Sequence, residues 1–293
     1  ERGSLVDMSH IVTFGRMIKF SHSVFALPFA LAGATLAATV AGIGWQQVAW
    51  VVVAMVGART AAMGFNRLVD RDVDAANPRT RNRELPQGII QPGTVRVFVV
   101  VSSLVFTFAA YSLNQLCFYL SPVALAVVLS YSYLKRWTWA SHFMLGLALG
   151  IAPVGAWIAV TGTLDPEPVL LTVAVLAWTA GFDIIYACQD YEFDMANGLF
   201  SVPQRLGVGP ALTVARSLHV IAVLCLLAMK WVFGLEILYL VGVILVTIIL
   251  IYEHTLVSAD DLSKVNIAFF STNGVISVVY FLFTMGDVLI VGW

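Results

Sequence analysis

The sequence predicts an all-α integral membrane protein, with about nine transmembrane helices around a central cavity opening to the cytoplasmic side. Three observations carry this. First, 60% of the 293 residues are hydrophobic and 11% are charged, whereas soluble domains carry roughly 25% charged residues; the mean hydropathy is +0.89. Second, apolar runs close to the length of about 20 residues that a span needs recur at 22–41, 47–69, 94–113, 117–134, 141–161, 168–190, 210–231, 233–252 and 267–291. Third, of the 16 lysines and arginines, all but Lys230 and Arg59 fall on or close to one set of connectors. The positive-inside rule makes that side cytoplasmic.

Taken in order, the first run follows the polar segment ERGSLVDMSH, which predicts no cleavable signal peptide. Lys19 and His22 precede that run as interfacial anchors. The short connectors GIGWQQ, NQLC and TGTLDPEP lie on one side of the bilayer. The long connectors 70–93, 191–209 and 253–266 alternate onto the other, with the Lys135–Arg136 pair. The stretch from 210 to 252 admits more than one division into spans. No linker or low-complexity segment interrupts the chain, so residues 1–293 read as one domain. The net charge of −1 leaves no broad basic surface and excludes nucleic acid as a partner. Cys117, Cys188 and Cys225 show no metal or redox spacing and read as packing residues. His142 and His254 read as interfacial, and His219 as a packing histidine.

Two acidic strings end apolar runs on the cytoplasmic side. NRLVDRDVD carries Asn66, Asp70 and Asp74, and DIIYACQDYEFD carries Asp183, Asp190 and Asp194, flanked by Tyr186. A step of four residues advances about 40° beyond a full helical turn, so each set shares a face. Arg59 lies on the first face one layer deeper, whereas Asp72 and Glu192 point elsewhere and read as interfacial. Clustered carboxylates repel unless a cation lies between them. Hard divalent cations take oxygen ligands, and Mg²⁺ usually completes its shell with water and phosphate oxygens. Ionisable groups such as Arg59 and Asp183 inside apolar segments are costly and mark function. Among the loop cations Arg83 and Lys135 sit beside rigid features, LPQG and the end of YSYLKRW, and suit phosphate contacts. The leading hypothesis is a membrane-embedded pair of acidic helices that clamps a metal–diphosphate. Each string leads into a loop with a basic residue and a proline, NPRTRNRELPQG and ANGLFSVPQRLG, as related half-repeats would.

These residues resemble the UbiA superfamily of intramembrane aromatic prenyltransferases. Its first signature, N-x-x-x-D-x-x-x-D followed by R-T-x-x-R-x-L-P-x-G, is matched by Asn66, Asp70, Asp74, Arg79-Thr80, Arg83, Leu85-Pro86 and Gly88. Its second, D-x-x-Y-A-x-x-D-x-x-x-D, is matched by Asp183, Tyr186, Ala187, Asp190 and Asp194. The Y-x-x-x-K-R element is matched by Tyr131, Lys135 and Arg136, and an arginine preceding the first signature by Arg59. The chain is most similar to the 4-hydroxybenzoate polyprenyltransferase branch, and YACQDYEFD with GLFSVPQRLG is similar to members of the futalosine route to menaquinone. Where many members open the first signature with Asn-Asp, this chain has Asn66-Arg67, which leaves phosphate or lipid headgroups as partners for Arg67. Arg81 is a second added charge.

The resemblance implies a multi-pass enzyme of a bacterial or archaeal cytoplasmic membrane. Its substrates would be a polyprenyl diphosphate and an aromatic acceptor, 4-hydroxybenzoate or a dihydroxynaphthoate. Asp70 and Asp74 would hold one Mg²⁺ and Asp190 and Asp194 a second, with Asn66 assisting. Asn66, Arg83, Lys135, Arg136 and Tyr186 would bind the diphosphate, and Asp183 and Arg59 would orient the acceptor. Relatives acting on haem, chlorophyll or lipid acceptors share the diphosphate chemistry. An ion-coupled transporter also uses intramembrane carboxylates, but tends to place them near the membrane centre.

Overall fold

The computed structural model describes Gly15, Met17 and residues 25–291. Lys19, His22 and the opening segment lie outside them. Among the described residues the regular structure is all helical, without strands. The long helices are α1 (Leu27–Ala41), α2 (Trp45–Val69), α3 (Pro92–Leu113), α4 (Gln115–Leu134), α5 (Ser141–Thr161), α6 (Glu167–Ala187), α7 (Val208–Phe233), α8 (Ile237–Thr255) and α9 (Asn273–Val291). Among the described residues, eight helices are long and apolar enough to cross a bilayer, while α1 is shorter, its expected span beginning before the described stretch. Gly234, at a positive φ of 63°, caps α7 and so divides the crowded stretch into two helices.

Neighbours pack in a ring: α2 on α3, α3 on α4, α4 on α5, α5 on α6, α6 on α7, α7 on α8, and α8 on α9. α1 closes it by packing on α9 and α2, and it also packs on α5. Lipid offers no hydrophobic drive between helices, so close backbone approach has to supply the attraction. Gly146 and Gly150 provide it in α5. A Cβ on Gly146 would lie 2.5 Å from the Leu176 carbonyl of α6, and one on Gly150 would lie 2.8 Å from that of Thr172. Gly146→Ala should therefore cost about 1–3 kcal/mol, read as a lower melting temperature in detergent. An unchanged melting temperature would show that the helices part freely.

The buried apolar side chains fall into two clusters. The larger draws on α1 and α5 to α9 around Trp157, Trp178 and Tyr280. The smaller, Met17, Leu85, Ile90, Val95 and Val99, lies under α2, α3 and the loop between them. In the apolar window of α4 only 17% is buried, against 61% for that of Glu167–Asn197.

Both acid-bearing helices break where their carboxylates begin. α2 ends at Val69, Asp70 leaves helical geometry at φ −89° and ψ 1°, and a short helix, Arg71–Ala76, follows. α6 ends at Ala187, passes through a tight 3₁₀ turn at Cys188–Asp190, and resumes as Tyr191–Asn197. The continuous helical faces expected from sequence are thus interrupted. Their periodicity survives because Asp74 N–H still donates to the Asp70 carbonyl at 2.7 Å.

Candidate active site

The two breaks face one cavity of about 300 Å³. The first string supplies Asn66, Asp70 and Asp74 to its wall, with Arg59 from deeper in α2, and the second supplies Asp183, Tyr186, Asp190 and Asp194. Arg83 and Lys135 complete the predicted set. Arg136 is not part of the lining: its Nη1 and Nη2 donate to the carbonyls of Ser132 and Val69.

Cations pair with three of the carboxylates. Lys135 Nζ donates to Asp70 Oδ2 at 2.6 Å, and Asn66 Nδ2 donates to the same oxygen at 3.0 Å. Arg136 Nη2 approaches Asp70 Oδ1 to 3.1 Å as an ion pair, yet this buried oxygen accepts no hydrogen bond. Arg83 Nη1 donates to both oxygens of Asp74 at 2.7 Å. Asp70 and Asp74 are 3% and 4% exposed, whereas the Lys135 and Arg83 side chains keep 32% and 21% of their surface, so each pair joins a buried acid to a cation that reaches the cavity.

Across the cavity Arg79 grips Asp190 with Nε at 2.9 Å and with Nη2, and its Nη1 donates to the Tyr186 hydroxyl at 2.8 Å. Asn77 Nδ2 adds a bond to Asp190 Oδ1 at 3.0 Å. Burial works against the Arg79 charge, but the Asp190 bonds prevail and raise its pKa above the ordinary value. Asp194 accepts from Ser201 Oγ at 3.0 Å. Asp72 and Glu192 are exposed, as their spacing predicts.

Sequence reasoning missed several of these partners. Arg79 matches the first signature but carries no assigned role there, and Asn77 gives no signal. His142 is not interfacial: it is 4% exposed, and its Nδ1 lies 2.7 Å from Asp183 Oδ2. Val202 N–H donates to His142 Nε2 at 3.2 Å, so Nδ1 carries the proton and donates to Asp183. His254 is likewise no lone interfacial group, since its Nε2 meets His219 Nδ1 at 2.9 Å; His219 is buried, as expected. Arg67 reaches inward, 4% exposed, and donates to the Met17 carbonyl. Arg81 is exposed.

A second cavity, of about 360 Å³ and lined almost wholly by apolar side chains of α2 to α5, adjoins the first. Arg59 and Tyr131 line both. The buried Arg59 Nε has no hydrogen-bond partner. Among the described residues no group of three or more His, Cys, Asp and Glu is already gathered as a metal cage. The donor set is nonetheless all oxygen, and Asp70 Oδ1 is a buried acceptor without a hydrogen bond. That chemistry fits a hard divalent cation.

The sequence model of the UbiA prenyltransferase family matches residues 26–275. The 4-hydroxybenzoate octaprenyltransferase of Ectopseudomonas mendocina (strain ymp) is 34% identical over 197 residues, 67% of this chain and 66% of that protein. The enzyme of the same name from Vesicomyosocius okutanii is 29% identical over 217 residues, 72% of this chain and 77% of that protein. Among solved structures, a UbiA homolog from Aeropyrum pernix K1 superposes with a TM-score of 0.84 at 30% identity, covering 91% of this chain and 98% of its own. A UbiA homolog from Archaeoglobus fulgidus bound to DMAPP and Mg²⁺ shares the fold, with a TM-score of 0.72 at 20% identity over 95% of this chain and 99% of its own. The chain belongs to the UbiA prenyltransferase family and is a prenyltransferase.

Proposed function

We propose that this protein transfers a polyprenyl group from a polyprenyl diphosphate to an aromatic hydroxy acid, in quinone biosynthesis. The acceptor is 4-hydroxybenzoate or a dihydroxynaphthoate. The reaction depends on Mg²⁺, with two ions, and runs in a single domain whose site faces the cytoplasm of a bacterial or archaeal cytoplasmic membrane. What carries this reading is the junction of the two cavities. A polar chamber with paired acids and cations meets an apolar one at Arg59 and Tyr131, as a molecule with a diphosphate head and a prenyl tail requires. The names of the curated relatives support the acceptor, and the ligands of the Archaeoglobus structure support the donor and the metal.

Asp70 and Asp74, assisted by Asn66, and Asp190 and Asp194 are the residues that would hold the metal. Bound Mg²⁺ would neutralise charge developing on the leaving diphosphate. Arg83, Lys135 and Arg79, now spent on the carboxylates, would turn to phosphate oxygens once those acids have other partners, with Arg136 close behind and the Tyr186 hydroxyl as a neutral donor. Ionisation breaks the carbon–oxygen bond, and the electron pair leaves with the diphosphate. The acceptor ring then attacks ortho to its phenol, and Asp183, held by His142, takes the ring proton. Dry walls around the allylic cation keep water from capturing it.

Arg59 is the group for the acceptor carboxylate, since its buried Nε is without a partner. Arg59→Ala should raise the acceptor KM by roughly ten- to a hundredfold, the cost of about 1.4–2.7 kcal/mol for a charged hydrogen bond, with the KM for the prenyl donor unchanged. An unchanged acceptor KM would remove Arg59 from this role. The reading as a whole is tested with purified protein, Mg²⁺ and a labelled polyprenyl diphosphate, offered 4-hydroxybenzoate and 1,4-dihydroxy-6-naphthoate in parallel. Prenylation of one acceptor supports it and fixes the pathway. No product from either overturns the choice of acceptor.

A further inference from the structure

Behind the cavity wall lies a buried polar cluster that the proposed chemistry leaves unused. Asn273 opens α9 directly after a π-helical turn, Ile267–Thr272, and is 0% exposed. Its Nδ2 donates to the carbonyls of Ala268 and Phe269, each at 3.1 Å. These belong to the widened turn, where regular α pairing is lost. Its Oδ1 accepts from Trp178 Nε1 of α6 at 2.8 Å. Nδ2 also lies 3.3 Å from Glu253 Oε1 of α8, a fully buried carboxyl group whose Oε2 is unbonded. One side chain thus ties the π turn to the helices on either side of it.

The turn presents two rings to the cavity, Phe269 and Phe270. Phe269 lies over Tyr186 with ring centroids 4.1 Å apart and meets Phe182 edge-on at 5.3 Å. Tyr186 in turn takes a hydrogen bond from the Arg79 that grips Asp190. A π turn holds one residue more than an α turn, so tightening it would rotate the rings by about 100° about the helix axis. That rotation would carry the aromatic wall off Tyr186. Within the turn, IAFFST, Thr272 Oγ1 also donates to the Ala268 carbonyl; the Asn273 amide alone joins the carbonyls of Ala268 and Phe269 to Trp178.

We propose that Asn273 is a positioning residue that holds the π turn open, and that the Phe269–Phe270 wall it fixes decides whether the allylic cation meets the acceptor or water. The proposal rests on the prenyl-transfer reading above. After the diphosphate leaves, the cation bonds either to a ring carbon, with loss of the ring proton to Asp183, or to a water oxygen, with loss of a proton to solvent and formation of a prenyl alcohol. A displaced wall admits water to the second route.

The test uses the purified protein in detergent with Mg²⁺, a labelled polyprenyl diphosphate and the aromatic acceptor, counting prenylated acceptor, prenyl alcohol and released diphosphate. For Asn273→Ala, diphosphate release should stay within about threefold of the parent, while the ratio of prenylated acceptor to alcohol falls about tenfold or more, as a small misplacement of reacting groups produces. Trp178→Phe removes the donor to Asn273 Oδ1 and keeps a smaller aromatic ring there, and should shift the ratio in the same direction even where Asn273→Ala does not fold. An unchanged ratio in the folded variants overturns the proposal, as does an equal fall in both products. If the parent protein releases no diphosphate at all, the prenyl-transfer reading fails instead.

Discussion

Asp70→Asn and Asp190→Asn should each abolish turnover and leave a folded protein. Each acid faces the cavity from a different half of the chain and is expected to hold the metal that takes the diphosphate. A metal Lewis acid supplies several kcal/mol of transition-state stabilisation, and losing about 4 kcal/mol lowers the rate on the order of a thousandfold. Folding survives because asparagine keeps the acceptor oxygen. In Asp70→Asn the new side-chain carbonyl can still take the hydrogen bonds from Lys135 and Asn66, and in Asp190→Asn those from Arg79 and Asn77. The check is turnover beside a melting curve in detergent. Retained activity in both variants would sink the two-metal reading, whereas a collapsed melting curve would place the acids in folding rather than chemistry.

Removing divalent cations with a chelator should stop transfer, and added Mg²⁺ should restore it. The reason lies in where the cations stand. Lys135, Arg83 and Arg79 are each bound to a carboxylate at hydrogen-bond distance, and a diphosphate brought in alone would have to draw them away while facing four acids. With other cations on the acids, the same basic groups are free for phosphate. Chelation should leave the melting temperature in detergent nearly unchanged, because the internal pairs persist. Turnover that resists chelation would argue against the metal altogether.

The spans and the two acid faces were legible because both rest on local periodicity: hydropathy over about 20 residues and a four-residue step. The breaks at Asp70 and at Cys188–Asp190 were not. No proline or glycine marks either one; tertiary contacts from Lys135 and from Arg79 with Asn77 fix the chain there. Asp190 finds its cation 111 residues away in sequence, and basic loop residues all look alike to the positive-inside rule. His142 read as interfacial because a histidine after a basic helix end commonly is, and only the fold brings Asp183 to its Nδ1. The π turn left no sign in sequence beyond a polar Asn273 inside an apolar run.

The unequal division of the buried apolar side chains has a mechanical consequence. The α5 to α9 side is stiff, because tightly packed side chains resist small displacements. The α2 to α4 side has the smaller cluster and more lipid-facing surface. Compliance therefore concentrates along the seam between them, where the Arg79 and Asn77 bonds to Asp190 stitch the halves together. Asn114, which donates to the Ile158 carbonyl at 2.7 Å, adds a further polar bond across it, so displacement along the seam would strain individual hydrogen bonds while the stiff half keeps Asp183, Tyr186 and the aromatic wall in register.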